Sequence, residues 1–352
     1  MKTQEHLQQM TLIAGPCSAE SEEQVLATAI SIAKINPAAI FRAGIWKPRT
    51  RPNAFEGIGS AGLPWLCKVK EITGMQTATE VANARHVEEC LRHNIDILWI
   101  GARTTVNPFS VQEIAQALKG TNVRVMVKNP VNAELSLWMG AIERLDLQGV
   151  KHITAIHRGF HKPEKQAFRN DPRWELAIEM RILAPNIPML CDPSHICGNK
   201  ELIPYVAQKA LDLGMDGLMI ETHINPLRAL SDADQQLTPS ELASVLDNLR
   251  VRLPEMDKTD GKGELQKLRT SINRTDEELL QLIFRRMQYS REIGEYKKKH
   301  NLSILQVNRW EELLRDRIGL AQGMGLSKSF VKRIYNLIHE ESIRKQSEVM
   351  AN

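Results

Sequence analysis

Ala38-Ala-Ile-Phe-Arg-Ala-Gly-Ile-Trp-Lys-Pro-Arg-Thr-Arg51 is the stretch that decides how the rest of the chain is read. Ala38 to Phe41 form an apolar run of the kind buried on both faces of a parallel sheet. The run passes straight into Arg42, Lys47, Arg49 and Arg51. Pro48 and Pro52 exclude a helix, so these cations are expected on a stiff, extended loop. A basic surface loop fits the same residue types but gains nothing from stiffness. An anion site does gain, because donors held in place lose less entropy on binding phosphate or carboxylate.

A strand, a polar loop and an amphipathic helix recur as a unit from residue 11 to about 250. Strands are expected near Leu12–Ala14, Ala39–Phe41, Ile72–Met75, Ile97–Ile100, Val123–Val127, Ile153–Ile156, Met189–Leu190 and Leu218–Ile220. Helix patterns such as Ala82–His93, Val111–Leu118 and Leu202–Leu213 lie between them. Strict alternation predicts parallel strands, and eight units predict a closed (β/α)8 TIM barrel of class α/β. An open doubly wound sheet is the alternative. The first strand is not followed by Gly-x-Gly-x-x-Gly, which argues against a dinucleotide fold.

The 352 residues, 42% hydrophobic and 25% charged, give an ordinary globular composition with room for two domains. Met1 to Met10 is polar, and no apolar run is long enough to span a bilayer. Five cysteines without zinc-finger spacing suit a reducing compartment, so a cytoplasmic protein is expected. The net charge of +4 is unevenly placed, with 18 Lys+Arg against 12 Asp+Glu from Gly261 onward. That basic piece suits nucleic acid, a membrane surface or small anions.

In a barrel of this kind the chemistry sits at the C-terminal ends of the strands. Those ends carry Gly15-Pro-Cys-Ser18, Arg42 with Lys47-Pro-Arg-Thr50, Thr79-Glu80, Gly101-Ala-Arg103, Lys128, His157-Arg158-Gly159, Asp192-Pro-Ser-His195 and Glu221-Thr-His223, with Asp232 further on. Two chemistries separate. Cys17, His195, Glu221 and Asp232 suit one borderline divalent ion, Mn, Fe, Co or Zn, although only the barrel brings ligands so distant in sequence together. Arg42, Lys47, Arg49, Arg103, Lys128 and Arg158 form an anion funnel. Cations so crowded repel one another unless an anion neutralises them.

Ile13-Ala-Gly-Pro-Cys-Ser18, Lys47-Pro-Arg-Thr50, Gly101-Ala-Arg103, Asp192-Pro-Ser-His195 and Ala229-Leu-Ser-Asp232 resemble 3-deoxy-D-arabino-heptulosonate 7-phosphate (DAHP) synthase over roughly residues 11–250. The likeness is to the shorter-barrel class without an N-terminal regulatory extension. It implies condensation of phosphoenolpyruvate with erythrose 4-phosphate. It implies metal ligation by Cys17, His195, Glu221 and Asp232, with no organic cofactor. Phosphoenolpyruvate would be held by Arg42, Lys47, Arg103, Lys128 and Arg158 with Glu80 nearby, and the erythrose phosphate by Arg49 and Thr50. Lys128 and Glu80, or metal-bound water, are the implied proton carriers. Arg51 and Val106 depart from the family pattern, which bears on sugar-phosphate binding. The related 3-deoxy-octulosonate 8-phosphate synthase differs at Lys-Pro-Arg-Thr, so that loop discriminates between the two aldehydes.

Pro254, Gly261, Gly263 and mixed charges mark residues 251–263 as a flexible linker between a barrel over 1–250 and a helical domain over 264–352. Helical periodicity predicts one long helix over 264–300, then Val307–Leu320 and Ser329–Val349. Its exposed apolar positions predict a homodimer through this domain. Arg269, Arg286, Lys297, Gln306, Arg309, Ser342 and Gln346 resemble the all-α class of chorismate mutase. The resemblance implies that Arg286 and Arg309, with Arg269 from the partner chain, grip the carboxylates of chorismate. Lys297 and Gln346 would bond its ether oxygen, and Gln306 and Ser342 would line the pocket. Trp310 stands where the family usually has a Glu for the substrate hydroxyl. Prephenate is expected as an effector that slows the barrel reaction. The alternatives are a non-catalytic dimerisation or sensing module and a nucleic-acid-binding arm. The arm is disfavoured because the cations share a face with apolar residues and no aromatic stacking series accompanies them.

Overall fold

The computed structural model of the chain describes residues 10–48, 55–162, 167–252 and 262–351. The chain divides into two compact units, Met1–Pro254 and Glu255–Asn352. Eight parallel strands close the first unit into a barrel in chain order. They are β1 (Thr11–Gly15), β2 (Ile40–Arg42), β3 (Thr77–Val81), β4 (Ile97–Ile100), β5 (Arg124–Lys128), β6 (Ile153–His157), β7 (Met189–Cys191) and β8 (Gly217–Glu221). The ring shuts where β8 pairs with β1, from Thr11 opposite Gly217 to Gly15 opposite Glu221. This is the (β/α)8 TIM barrel expected from the alternation, and it excludes the open sheet.

The main helices of the barrel are α1 (Glu22–Ile35), α2 (Leu63–Thr73), α3 (Ala84–Arg92), α4 (Pro108–Ala117), α5 (Leu135–Leu147), α6 (Trp174–Leu183), α7 (Ile203–Asp212) and α8 (Pro239–Asn248). Local chemistry starts several of them. Ser21 and Asn83 accept from the backbone amides of Gln24 and His86, and Thr238 forms a reciprocal capping box with Glu241. The strands bury both faces. Ile13, Ile40, Ala78, Ile97, Trp99, Met126, Ile156, Leu190 and Met219 fill the barrel interior as one cluster. Alternate residues such as Leu12, Phe41, Leu98 and Val125 pack outward against the helices in a second, larger cluster.

One expected strand is misplaced. Ile72–Met75 is not β3: Ile72 lies in the last turn of α2, and the chain reverses at Gly74 with φ 73. The strand is Thr77-Ala-Thr-Glu-Val81, buried throughout despite three polar side chains. Burial is tolerated because the polar groups are met. Thr79 donates to the Ala43 carbonyl at 2.8 Å, and the Thr77 amide and hydroxyl both donate to Asp96. A periodicity search for apolar runs passes over such a strand.

The second unit has the three expected helices: α9 (Lys262–Lys299), α10 (Val307–Gly323) and α11 (Lys328–Ala351). α9 packs along α11, and α10 also packs on α11. Leu268, Ile272, Leu279, Leu282 and Phe284 on α9 stay exposed in the single chain. Among the described residues no helix is long and apolar enough to cross a membrane.

Candidate functional sites

The C-terminal mouth of the barrel opens into a cavity of about 580 Å³ whose lining includes Lys47, Glu80, Arg103, Lys128, Arg158, His195 and Asp232. Those expected site residues therefore meet in one place. Cys17, Arg42 and Glu221 are fully buried and tie to this lining. Lys47 Nζ lies 2.9 Å from the Cys17 carbonyl and 3.1 Å from its Sγ. Arg42 Nη2 faces Glu221 Oε1 at 3.2 Å. Arg49 and Thr50 lie outside the described residues.

Several functional side chains stand at the ends of strands. Arg42 ends β2, and its guanidinium sits 4.7 Å from the centre of the Trp99 ring of β4. The close approach of β1 to β2 requires glycine at position 15. Its φ is 145, and a Cβ there would meet the Arg42 carbonyl oxygen at 2.0 Å. At Gly101 a Cβ would meet the Glu80 carboxylate at 2.0 Å, so a larger residue there would displace that side chain. Lys128 ends β5 and donates to Asp192 at 2.7 Å. His195 Nδ1 lies 2.8 Å from the same carboxylate oxygen, Oδ2, while Oδ1 accepts from the His195 backbone amide at 3.0 Å. Asp232 holds a left-handed φ of 48, a conformation Asp tolerates better than most residues.

Burial and neighbours set the charges. Burial first, then Glu221 and Asp232, push the Cys17 thiol up to about 12. Burial works against the Lys47 ammonium, but Cys17, Glu80 and Glu221 outweigh it and hold its pKa above the usual value. Burial would raise Asp192, yet His195 and Lys128 keep it ionised well below the carboxylate range. Burial lowers Lys128 despite that partner. Burial lowers Arg158 to about 10, with Arg169 and Arg103 adding to the crowding.

The four expected metal ligands fall into two pairs. Cys17 Sγ donates to Asp232 Oδ2 at 3.2 Å, and His195 Nε2 lies 3.8 Å from Glu221 Oε1. Among the described residues no group of three or more His, Cys, Asp or Glu stands in an arrangement that would hold an ion. The donor chemistry nevertheless fits a borderline divalent cation. Glu221 Oε1 is buried and accepts no hydrogen bond.

Sequence reasoning missed several groups. Arg169 lines the cavity and donates to Asp232 at 2.9 Å and Gln235 at 2.7 Å. Asn170 accepts from Arg158 at 2.9 Å and donates to the His195 carbonyl at 2.6 Å. Asn129 accepts from the Arg158 amide at 2.6 Å. For Arg169 and Asn170 the available signal was the long connection between β6 and α6, since loops of that length are commonly functional. His157, by contrast, does not line the cavity. It is fully buried, with its ring tilted against Trp174 at 5.1 Å and Phe160 at 5.9 Å.

In the helical unit, Arg286 donates to Ser342, and Lys297 donates to the Ile304 carbonyl at 2.6 Å. Gln346 is buried, donates to the Ser342 carbonyl at 3.3 Å and leaves its Oε1 without a partner. These four come together where α9 meets α11. Arg269, Gln306 and Arg309 do not join them in the single chain: all three are exposed, and Arg309 pairs with Glu312. Burial lowers the pKa of both Arg286 and Lys297. The site sequence analysis had no reason to name is His339, whose ring stacks on Trp310 at 3.9 Å.

The profile of the DAHP synthetase I family matches residues 6–254, and that of chorismate mutase type II matches residues 268–347. A phospho-2-dehydro-3-deoxyheptonate aldolase of Thermotoga maritima is 31% identical over 227 residues. That match covers 64% of this chain and spans only 65% of the relative's length. A 2-dehydro-3-deoxyphosphooctonate aldolase of Helicobacter pylori is 29% identical, covering 68% of this chain and 95% of its own. The crystal structure of a Thermotoga maritima DAHP synthase superposes with a TM-score of 0.60 at 28% identity, covering 68% of this chain and 67% of that one.

His157 gives the barrel a calculable response to acid. Burial holds its pKa down to about 3 in the fold, against about 6.5 unfolded. Below pH 6.5 the unfolded chain therefore binds a proton that the folded chain refuses. Stability should be lost as pH falls from 6.5 toward 3, at about 1.4 kcal/mol per pH unit from this group. Denaturant midpoints at pH 7.5, 6.5, 5.5 and 4.5 should show a flatter decline for His157→Phe than for the wild type. Parallel declines would mean that His157 titrates normally in the fold.

Proposed function

We propose that this chain, which belongs to the DAHP synthetase I family and carries a C-terminal chorismate mutase type II domain, catalyses two reactions. The barrel condenses phosphoenolpyruvate with erythrose 4-phosphate, and the helical unit rearranges chorismate to prephenate. The observation that carries the first reading is the convergence of Lys47, Arg103, Lys128 and Arg158 on one cavity beside Glu80 and His195. So much positive charge around one space calls for an anion with more than one charged group.

Arg42, Lys47, Arg103, Lys128 and Arg158 bind the phosphate and carboxylate of phosphoenolpyruvate. Arg49 and Thr50 are assigned to the erythrose phosphate. The enol carbon attacks the aldehyde carbon, positive charge grows at the enol ether carbon, water adds there and phosphate leaves. Lys128 and Glu80 are the groups placed to carry protons. Lys128 suits the role because burial lowers its pKa while Asp192 holds its ammonium in position. Cys17, His195, Glu221 and Asp232 would hold one divalent ion, which when bound supplies Lewis-acid polarisation of the aldehyde.

A second reading comes from the Helicobacter pylori relative, whose name denotes an octulosonate product. By carbon count that product needs a five-carbon aldose phosphate rather than erythrose 4-phosphate. Lys47-Pro-Arg-Thr50 favours the four-carbon substrate. Turnover measured with each aldose phosphate decides the matter.

In the helical unit the reaction is a pericyclic rearrangement and needs no acid, base or nucleophile. Restriction of the substrate and stabilisation of charge on the breaking C–O bond suffice. Arg286, with Arg309 and the partner chain's Arg269 in a homodimer, would grip the carboxylates. Lys297 and Gln346 serve the ether oxygen, with Gln306 and Ser342 at the pocket wall. The exposed apolar face of α9 supports the dimer.

Three outcomes test these readings. Cys17→Ala and His195→Ala should each reduce the condensation to background and abolish divalent-ion binding measured by calorimetry, with the fold retained. Full activity of either in chelator-treated buffer would remove the ligand assignment. Lys297→Ala should lower mutase turnover by about two decades or more while the condensation stays near normal. An unchanged mutase rate would mean that the site lies elsewhere or that the helical unit is not catalytic. Prephenate, bound at the Arg286 site, is proposed to slow the condensation through a coupling of about 1–3 kcal/mol. The rate should therefore fall with added prephenate in the wild type and not in Arg286→Ala. Equal inhibition of both proteins would place the effect elsewhere.

A further inference from the structure

Ser342 and Gln346 share one face of α11, and His339 lies one turn earlier on that same face, at i, i+3 and i+7. Ser342 accepts from Arg286 of α9, and the His339 ring stacks on Trp310 of α10 with an interplanar angle of 9°. His339 thus stands where all three helices meet. Two polar atoms on this face are buried and have no hydrogen-bond partner: His339 Nε2 and Gln346 Oε1. Atoms left so are costly unless something else meets them.

We propose that His339 is a substrate-binding residue of the helical site, its Nε2 taking the substrate hydroxyl. This rests on the mutase reading above. Trp310 cannot serve that hydroxyl as a carboxylate would, because an indole N–H only donates. What Trp310 does is fix the imidazole by stacking, leaving Nε2 as the polar edge. Burial first, then Arg286 and Lys297, lower the pKa of His339. A neutral imidazole suits a hydroxyl, which can both donate and accept. The two cations then remain for the carboxylates and the ether oxygen.

The test uses the full chain and two substitutions. His339→Phe keeps an aromatic ring against Trp310 but removes the nitrogen, and His339→Gln restores a polar atom near the Nε2 position. With chorismate as substrate, His339→Phe should lower kcat/KM roughly ten- to hundredfold, and His339→Gln should recover most of that loss. Calorimetry with prephenate and with an analogue lacking the hydroxyl adds a readout that stacking alone does not move. The wild type should bind prephenate more tightly than the analogue, and His339→Phe should bind the two alike. Wild-type kinetics in His339→Phe, or a wild type that does not distinguish the analogue, would overturn the assignment. A wild type with neither mutase turnover nor prephenate binding would overturn the mutase reading itself, and this assignment with it.

Discussion

Arg42 and Glu221 face each other at 3.2 Å with 1% and 0% of their side chains exposed. A buried ion pair recovers its desolvation cost only with good geometry and further partners, and removing one member leaves an uncompensated charge. The mouth of the barrel is organised around that constraint. Lys128 and Asp192 repeat it at 2.7 Å, with 5% and 0% exposure. Trp99 lies beside both cations, at 4.7 Å from Arg42 and 5.8 Å from Lys128. Gln235 secures the other oxygen of Glu221 at 2.6 Å.

These pairs explain why reactive groups can be held so deep. Asp192 spans Lys128 and His195, so one carboxylate fixes a cation of β5 and an imidazole that follows β7. Asn129 and Asn170 grip Arg158 from its backbone and its side chain. Arg169 does the same for Asp232 from the long loop after β6. The lining is thereby preorganised before any ligand arrives, which is what electrostatic catalysis requires. The helical unit is less complete by itself. Its Arg286–Ser342 contact and its Lys297 are in place, but the remaining expected cations lie exposed, and apolar side chains along α9 face outward. In the dimer proposed above, the partner chain would bring Arg269 to the site and cover the apolar side chains of α9.

Much was legible in the sequence because periodicity and turn chemistry are local. The apolar runs at Ile97–Ile100 and Ile153–Ile156 and the helical periodicity over 264–300 all declare themselves in consecutive residues. The same locality is why β3 was misplaced. Thr77-Ala-Thr-Glu-Val81 has no apolar run, and only partners in Ala43 and Asp96, from other elements, make its burial acceptable.

The sequence by itself determined the barrel, the helical unit and the residue types at each strand end, since strand direction sends every such end to one face. Tertiary structure alone decided which of those groups meet. His157 and Arg158 are neighbours in the chain, yet one packs against Trp174 and the other lines the cavity, because successive strand residues point to opposite sides. Arg169, 63 residues from Asp232, reaches it through a loop with no periodic signal. His339 and Trp310, on different helices, meet face to face. Such contacts arise from closure of the barrel and from packing of one helix on another, which no window of consecutive residues contains.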